Sequence, residues 1–95
     1  MENNKTVVVN RHSSQYDVYI GRGTSFGNPF IIGRDGTREE VLRRYKRYFN
    51  DRILLDKEFK KKVLALRGKV LGCSCKPDAC HGDIIVSWLQ ENTDE

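Results

Sequence analysis

All three cysteines of this chain fall within eight positions, inside "GCSCKPDACHGD" (72–83). Cys73 and Cys75 stand too close for an easy disulfide, and a secreted disulfide scaffold spreads its cysteines out. The 95 residues must therefore be held together by a core. That length gives a single domain, 1–95, with a core over 5–90 and a polar tail, "ENTDE", at 91–95. Only 38% of the residues are apolar. So thin a core commonly leans on a metal, a partner or an oligomer. The expected setting is reducing and cytoplasmic. "MENNKTVVVN" lacks the basic start and long apolar run of a signal peptide, and no apolar run is long enough to span a membrane.

The net charge is +4 and unevenly spread. Residues 38–69 hold twelve basic and five acidic side chains, whereas the rest of the chain is net acidic. Such a basic middle attracts phosphates or nucleic acid, or forms the solvated faces of helices. Its aromatics fall on an apolar stripe rather than between the basic residues, unlike a single-strand binder.

"KTVVVN" (5–10) and "YDVYI" (16–20) read as strands. "IIGRDG" (31–36) reads as a brief strand and a turn. Thr37 and Glu40 fit a capping box, followed by a helix with Val41, Leu42, Tyr45, Tyr48 and Phe49 on one side. Arg43, Arg44, Lys46 and Arg47 take the other side. A break is expected over 51–55. Asp56 then caps a second helix with Phe59, Val63, Leu64 and Leu66 as its apolar face. Gly68 closes it, and "VLGCS" (70–74) reads as a third strand. A last helix starts near Ala79 or Cys80 and buries Ile84, Ile85, Trp88 and Leu89. The fold class is thus α/β: about three strands and about three helices, in the order β-β-α-α-β-α, in two layers or a near three-layer stack.

"GRGTSFGNPF" (21–30) follows directly on a strand and cannot be regular structure. Glycines such as Gly23 let a backbone approach a ligand closely. Arg22 offers a planar fork suited to phosphate, and Asn28 an amide that can read a base or hold a turn. Phe26 and Phe30 serve as a stacking wall or as core plugs. The loop is neither a Walker loop nor a dinucleotide fingerprint. Crevices form at such strand ends in open α/β sheets.

The cysteine segment supports two chemistries. Cys73, Cys75, Cys80 and His81 are four candidate zinc ligands, although C-x-C-x4-C-H departs from the usual two-residue gaps. Alternatively, Cys80 stands at a helix start, where free N–H groups and the helix dipole lower a thiol's pKa and bind anions. Cys80 is then a candidate nucleophile, His81 a base and Asp83 its orienting partner. Asp83 equally suits a helix-stabilising acid, Cys73 suits the core, Pro77 and Asp78 suit a turn, and His12 suits an exposed turn.

Three stretches, "VYIGRGTSFGNPF", "IGRDGTREEVLRRY" and "LRGKVLGCSCKPDACHGDII", resemble the motifs of the domain of unknown function 4326 family, over roughly residues 6–90. Phe26 and Ser74 stand where that family often has Trp, which reduces the aromatic surface near the site. The resemblance implies a small protein of bacteria or bacteriophages. The C-terminal strand–"C…CH"–helix also resembles a second family carrying "LLCxE…P…CHR", which implies a nucleotide-like ligand at the strand ends.

Two functions follow as expectations. In the first, Arg22, Gly23, Asn28, Thr37 and Arg38 bind a small anionic, nucleotide-like ligand opposite Cys80, His81 and Asp83. The ligand is held, or processed by hydrolysis or group transfer, and no cofactor is required. In the second, zinc on the cysteine cluster stabilises a module whose basic residues 38–69 bind nucleic acid or a host protein. Neither involves a membrane.

Overall fold

A computed structural model of the chain describes residues 5–76 and 78–92. Pro77 and the end of the polar tail lie outside them. The elements are β1 (Val7–Asn10), β2 (Val18–Tyr19), α1 (Arg38–Leu55), α2 (Lys57–Leu64), β3 (Val70–Cys73) and α3 (His81–Glu91). This is the β-β-α-α-β-α order read from the sequence.

The three strands form one parallel sheet in the order β1-β3-β2, so the last strand in sequence is the middle one in space. Strand alternation sorts the side chains. Val8, Val18 and Leu71 share one face, whereas Val9, Tyr19 and Gly72 share the other. The three helices cover the first face. A single cluster joins Ile20, Leu71 and Cys73 to Tyr45 and Phe49 of α1, Phe59 and Val63 of α2, and Ile85 and Leu89 of α3. The second face is crossed by the short link from β1 to β2. There Tyr16 lies flat against Gly72, and a Cβ at Gly72 would stand 2.6 Å from the Tyr16 ring. Only glycine lets the crossover pass this close to the central strand.

The helix boundaries follow from their caps. Thr37 Oγ1 accepts from the Glu40 N–H at 3.2 Å, and the Glu40 carboxylate accepts from the Thr37 N–H at 2.8 Å. Asp56 both ends α1, through its N–H to the Arg52 carbonyl, and begins α2, through its carboxylate on the Phe59 N–H. Arg67 donates to the carbonyls of Leu89 and Asn92, supplying the positive charge that the last turn of α3 lacks.

Two expectations are corrected. No strand forms over 31–36. The Asp35 carboxylate takes the Ile31 N–H, and Gly33 and Gly36 both have positive φ, so the segment closes into a turn. The expected break over 51–55 is absent as well. That stretch has no Gly or Pro, and α1 runs on to Leu55, leaving Leu54 and Leu55 exposed.

Candidate functional site

β2 and β3 end at the same edge of the sheet, and α1 and α3 both begin there. Between them lies a cavity of about 360 Å³. Its walls come from the ends of β2 (Tyr19, Gly21, Arg22) and β3 (Ser74, Cys75), the glycine loop (Asn28, Phe30), and the starts of α1 (Arg38) and α3 (Cys80, His81). Two arginines reach it, and among the described residues no carboxylate lines it. Arg22 makes no hydrogen bond or ion pair with another described residue. Arg38 donates to the Ala79 carbonyl at 3.1 Å and lies 3.6 Å from the exposed Asp78 carboxylate. The Asn28 carbonyl oxygen accepts from the Phe30 N–H at 2.9 Å, which turns the loop and leaves the amide NH2 to donate.

His81 is only 7% exposed. Its Nε2 lies 2.7 Å from the Ile20 carbonyl, and its ring meets the Tyr45 ring edge-on at 5.2 Å. Burial lowers its pKa, opposed by the Ile20 hydrogen bond and by Asp83 and reinforced by the Arg22 charge. The imidazole is therefore neutral at pH 7. Tyr45 is itself fixed, its hydroxyl donating to the Phe26 carbonyl at 2.8 Å.

Cys80 caps α3 with sulfur in place of a hydroxyl. Its Sγ accepts from the Gly82 N–H at 3.3 Å, while the Asp83 carboxylate accepts from the Cys80 N–H at 3.1 Å. The Cys80 and Cys73 sulfurs lie 2.9 Å apart, and both residues are free cysteines, buried in the core. Burial and the Cys73 contact push the Cys80 thiol up to about 12, against the pull of the Gly82 N–H. That is the opposite direction to the one expected at a helix start. Desolvation outweighs the helix end here, so the thiol stays protonated at neutral pH.

The model of the domain of unknown function 4326 (DUF4326) matches residues 4–91. The chain belongs to this family. It is also 47% identical over 79 residues to the "Uncharacterized 12.4 kDa protein in nrdA-td intergenic region" of Enterobacteria phage T4, an alignment spanning 82% of this chain and 71% of that protein. No solved structure matches the chain.

The residues singled out in the sequence of this DUF4326 domain separate in the structure. Arg22, Asn28, Arg38, Cys80 and His81 line one cavity. Gly23, Thr37 and Asp83 do not. Gly23 is needed for its φ of 95°, and Thr37 is occupied in its cap. Asp83 is held by the Cys80 N–H and by Lys76, whose Nζ lies 2.6 Å away. It stabilises the start of α3, and the Ile20 carbonyl rather than Asp83 fixes the His81 ring. The four candidate metal ligands do not converge. Cys80 turns to Cys73, His81 turns to Ile20, and among the described residues no group of three or more such ligands is gathered to hold an ion. Of the two phenylalanines, Phe30 lines the cavity, whereas Phe26 packs against Phe59.

The sequence did not point to Tyr19, Ile31, Ile32, Val41 and Leu42 as cavity lining. Tyr19 carried one usable signal: it stands just before the strand end that leads into Gly21. The DUF4326 site thus combines one held cation, Arg38, one unpaired cation, Arg22, an amide donor, a neutral imidazole and an apolar floor. It can hold an anion beside a less polar moiety, with a basic nitrogen within reach.

Proposed function

We propose that this domain binds a small phosphate-bearing, nucleotide-like ligand in the cavity at the ends of β2 and β3. One observation carries this reading: Arg22 and Arg38 reach a cavity that no described carboxylate lines, and Arg22 is paired with no described residue. A guanidinium is a preferred partner for phosphate oxygens, and strand ends of parallel sheets are where such ligands sit. The volume falls in the usual range for small-molecule sites. Phe30 and the aliphatic lining would take the base or sugar. Calorimetric titration with adenosine, inorganic phosphate and adenosine monophosphate tests the reading. The monophosphate binds, adenosine binds at least tenfold more weakly, and Arg22→Ala weakens the monophosphate about tenfold or more at unchanged melting temperature. Equal binding by wild type and Arg22→Ala overturns it.

A second reading rests on a different surface. Arg43, Arg44 and Arg47 line an open depression beside Asp35 and Glu40, on the exposed side of α1. Such a face suits nucleic acid or an acidic protein partner. Salt-dependent DNA affinity that vanishes on neutralising Arg43, Arg44 and Lys46, yet survives Arg22→Ala, favours it. About one zinc per chain, whose removal by chelator unfolds the protein, supports its zinc-stabilised form.

A further inference from the structure

The hydrogen-bonding capacity of the cavity is lopsided: apart from the Tyr19 and Ser74 hydroxyls, which can give or take, His81 is the exception. Arg22 and Arg38 can only donate. The Asn28 oxygen is taken by the Phe30 N–H. Nearby carbonyls already accept as well: Gly21 from the Thr24 N–H and hydroxyl, Ala79 from Arg38, and Ile31 from the N–H groups of Arg34 and Asp35. His81 differs because its tautomer is set by geometry. A carbonyl oxygen has no proton to give, so at 2.7 Å from the Ile20 carbonyl the Nε2 carries the hydrogen. In the neutral ring Nδ1 is then a bare lone pair. It has no partner among the described residues, and none of their side-chain nitrogens or oxygens is both fully enclosed and unpaired. Nδ1 of this 93%-buried residue is therefore unpaired without being fully enclosed, and the residue lines the cavity. The groups around the ring do not change this. Tyr45 presents a ring edge and its hydroxyl is tied to Phe26. Asp83 is tied to the Cys80 N–H and to Lys76. Arg22 is a cation that disfavours charging the ring.

We infer that His81 Nδ1 accepts a hydrogen bond from a sugar hydroxyl of the ligand, so that the cavity selects a nucleotide or sugar phosphate with a free hydroxyl over a bare anion or a deoxygenated analogue. This rests on the phosphate-binding reading above and specifies its substrate class. A fully ionised phosphate offers Nδ1 only lone pairs. A hydroxyl offers a donor, and losing that donor leaves a buried acceptor unpaired.

The test is calorimetric titration near pH 8, where the phosphate carries no proton. The probes are adenosine monophosphate and its 2′-deoxy, 3′-deoxy and 2′,3′-dideoxy analogues. Wild type discriminates against at least the dideoxy analogue by about tenfold or more. Two substitutions divide the ring's roles. His81→Asn keeps an acceptor near the position of Nδ1 and retains the discrimination, although it loses the Ile20 contact. His81→Gln can still reach the Ile20 carbonyl but has no acceptor in place of Nδ1, and it binds the ribo and dideoxy forms within twofold. If wild type itself binds both forms alike, or if His81→Gln discriminates as wild type does, the inference falls while phosphate binding stands. If no probe binds, or adenosine binds as well as its monophosphate, the phosphate reading falls first and takes this inference with it. A wild type that binds both forms alike overturns the inference even where a variant fails to fold.

Discussion

Two helices in this chain begin with the same reciprocal cap, built from different chemistry in different surroundings. At the start of α1, a threonine hydroxyl and a glutamate exchange hydrogen bonds in the open. At the start of α3, a cysteine sulfur and an aspartate do the same beside the core, with Cys80 only 2% exposed. The backbone makes one demand in both places: N–H groups at a helix start need acceptors. A hydroxyl meets it in water. A sulfur, which is larger and less polar, meets it while also packing on Cys73 and walling a cavity. The local pattern is thus shared, and burial decides which cap is a mere stop signal and which is part of a site.

This contrast can be broken at both ends. The largest effect is expected for Cys80→Ala, which removes both a cap and core volume. It should cost about 2 kcal/mol in urea denaturation. Thr37→Ala removes only a cap and should cost about 1 kcal/mol. Were Thr37→Ala the more damaging of the two, α3 would owe nothing to its sulfur.

Acid should separate the two starts further. The folded pKa of His81 lies below its ordinary value, so the unfolded chain takes up its proton first, and the stability this residue contributes is lost as pH falls below about 6.5. Glu40 is also held low, mainly by the Thr37 N–H, but it is a carboxylate. Its contribution persists to about pH 4 and is lost only below that. Melting temperatures followed from pH 7 to 3 should show the His81-dependent loss first, and His81→Gln should flatten only that upper part. The smallest effect is expected for Arg22→Ala, whose melting temperature should match wild type within error, because the exposed guanidinium holds nothing of the fold.

The same contrast explains what the sequence revealed. Thr37-x-x-Glu40 matches the known signature of a helix start, and α1 began where it was read. Cys80-x-x-Asp83 matches no such signature. The helix start is still legible to within two residues, but the sequence leaves Asp83 open between orienting His81 and stabilising the helix, because nothing local shows that the Cys80 N–H and Lys76 already hold it. The helix faces were legible because 3.6-residue periodicity is a local property. Much of the site was legible because arginine, asparagine and histidine at strand and helix ends carry their own meaning, and Arg22, Asn28, Arg38 and His81 do meet at one cavity. What stayed hidden depends on distant partners. The tautomer of His81 is set by a carbonyl 61 residues away, and the protonation of Cys80 is set by the depth of its burial.

The central place of β3 has a consequence in time. β1 and β2 hydrogen-bond to it and not to each other, and its residues stand more than sixty positions after their β1 partners. During synthesis, at about 5–20 residues per second, Asn10 has left the peptidyl-transfer centre roughly 3 to 13 s before Cys73 is joined. Until then the nascent chain has two strands with no neighbour and a pair of helices with only each other, and no sheet, to lie against. The cavity cannot exist before the sheet does, and the sheet waits for the same segment that delivers Cys80 and His81. The molecule therefore acquires its architecture and its cavity in one step, once the segment carrying β3 and the start of α3 has emerged.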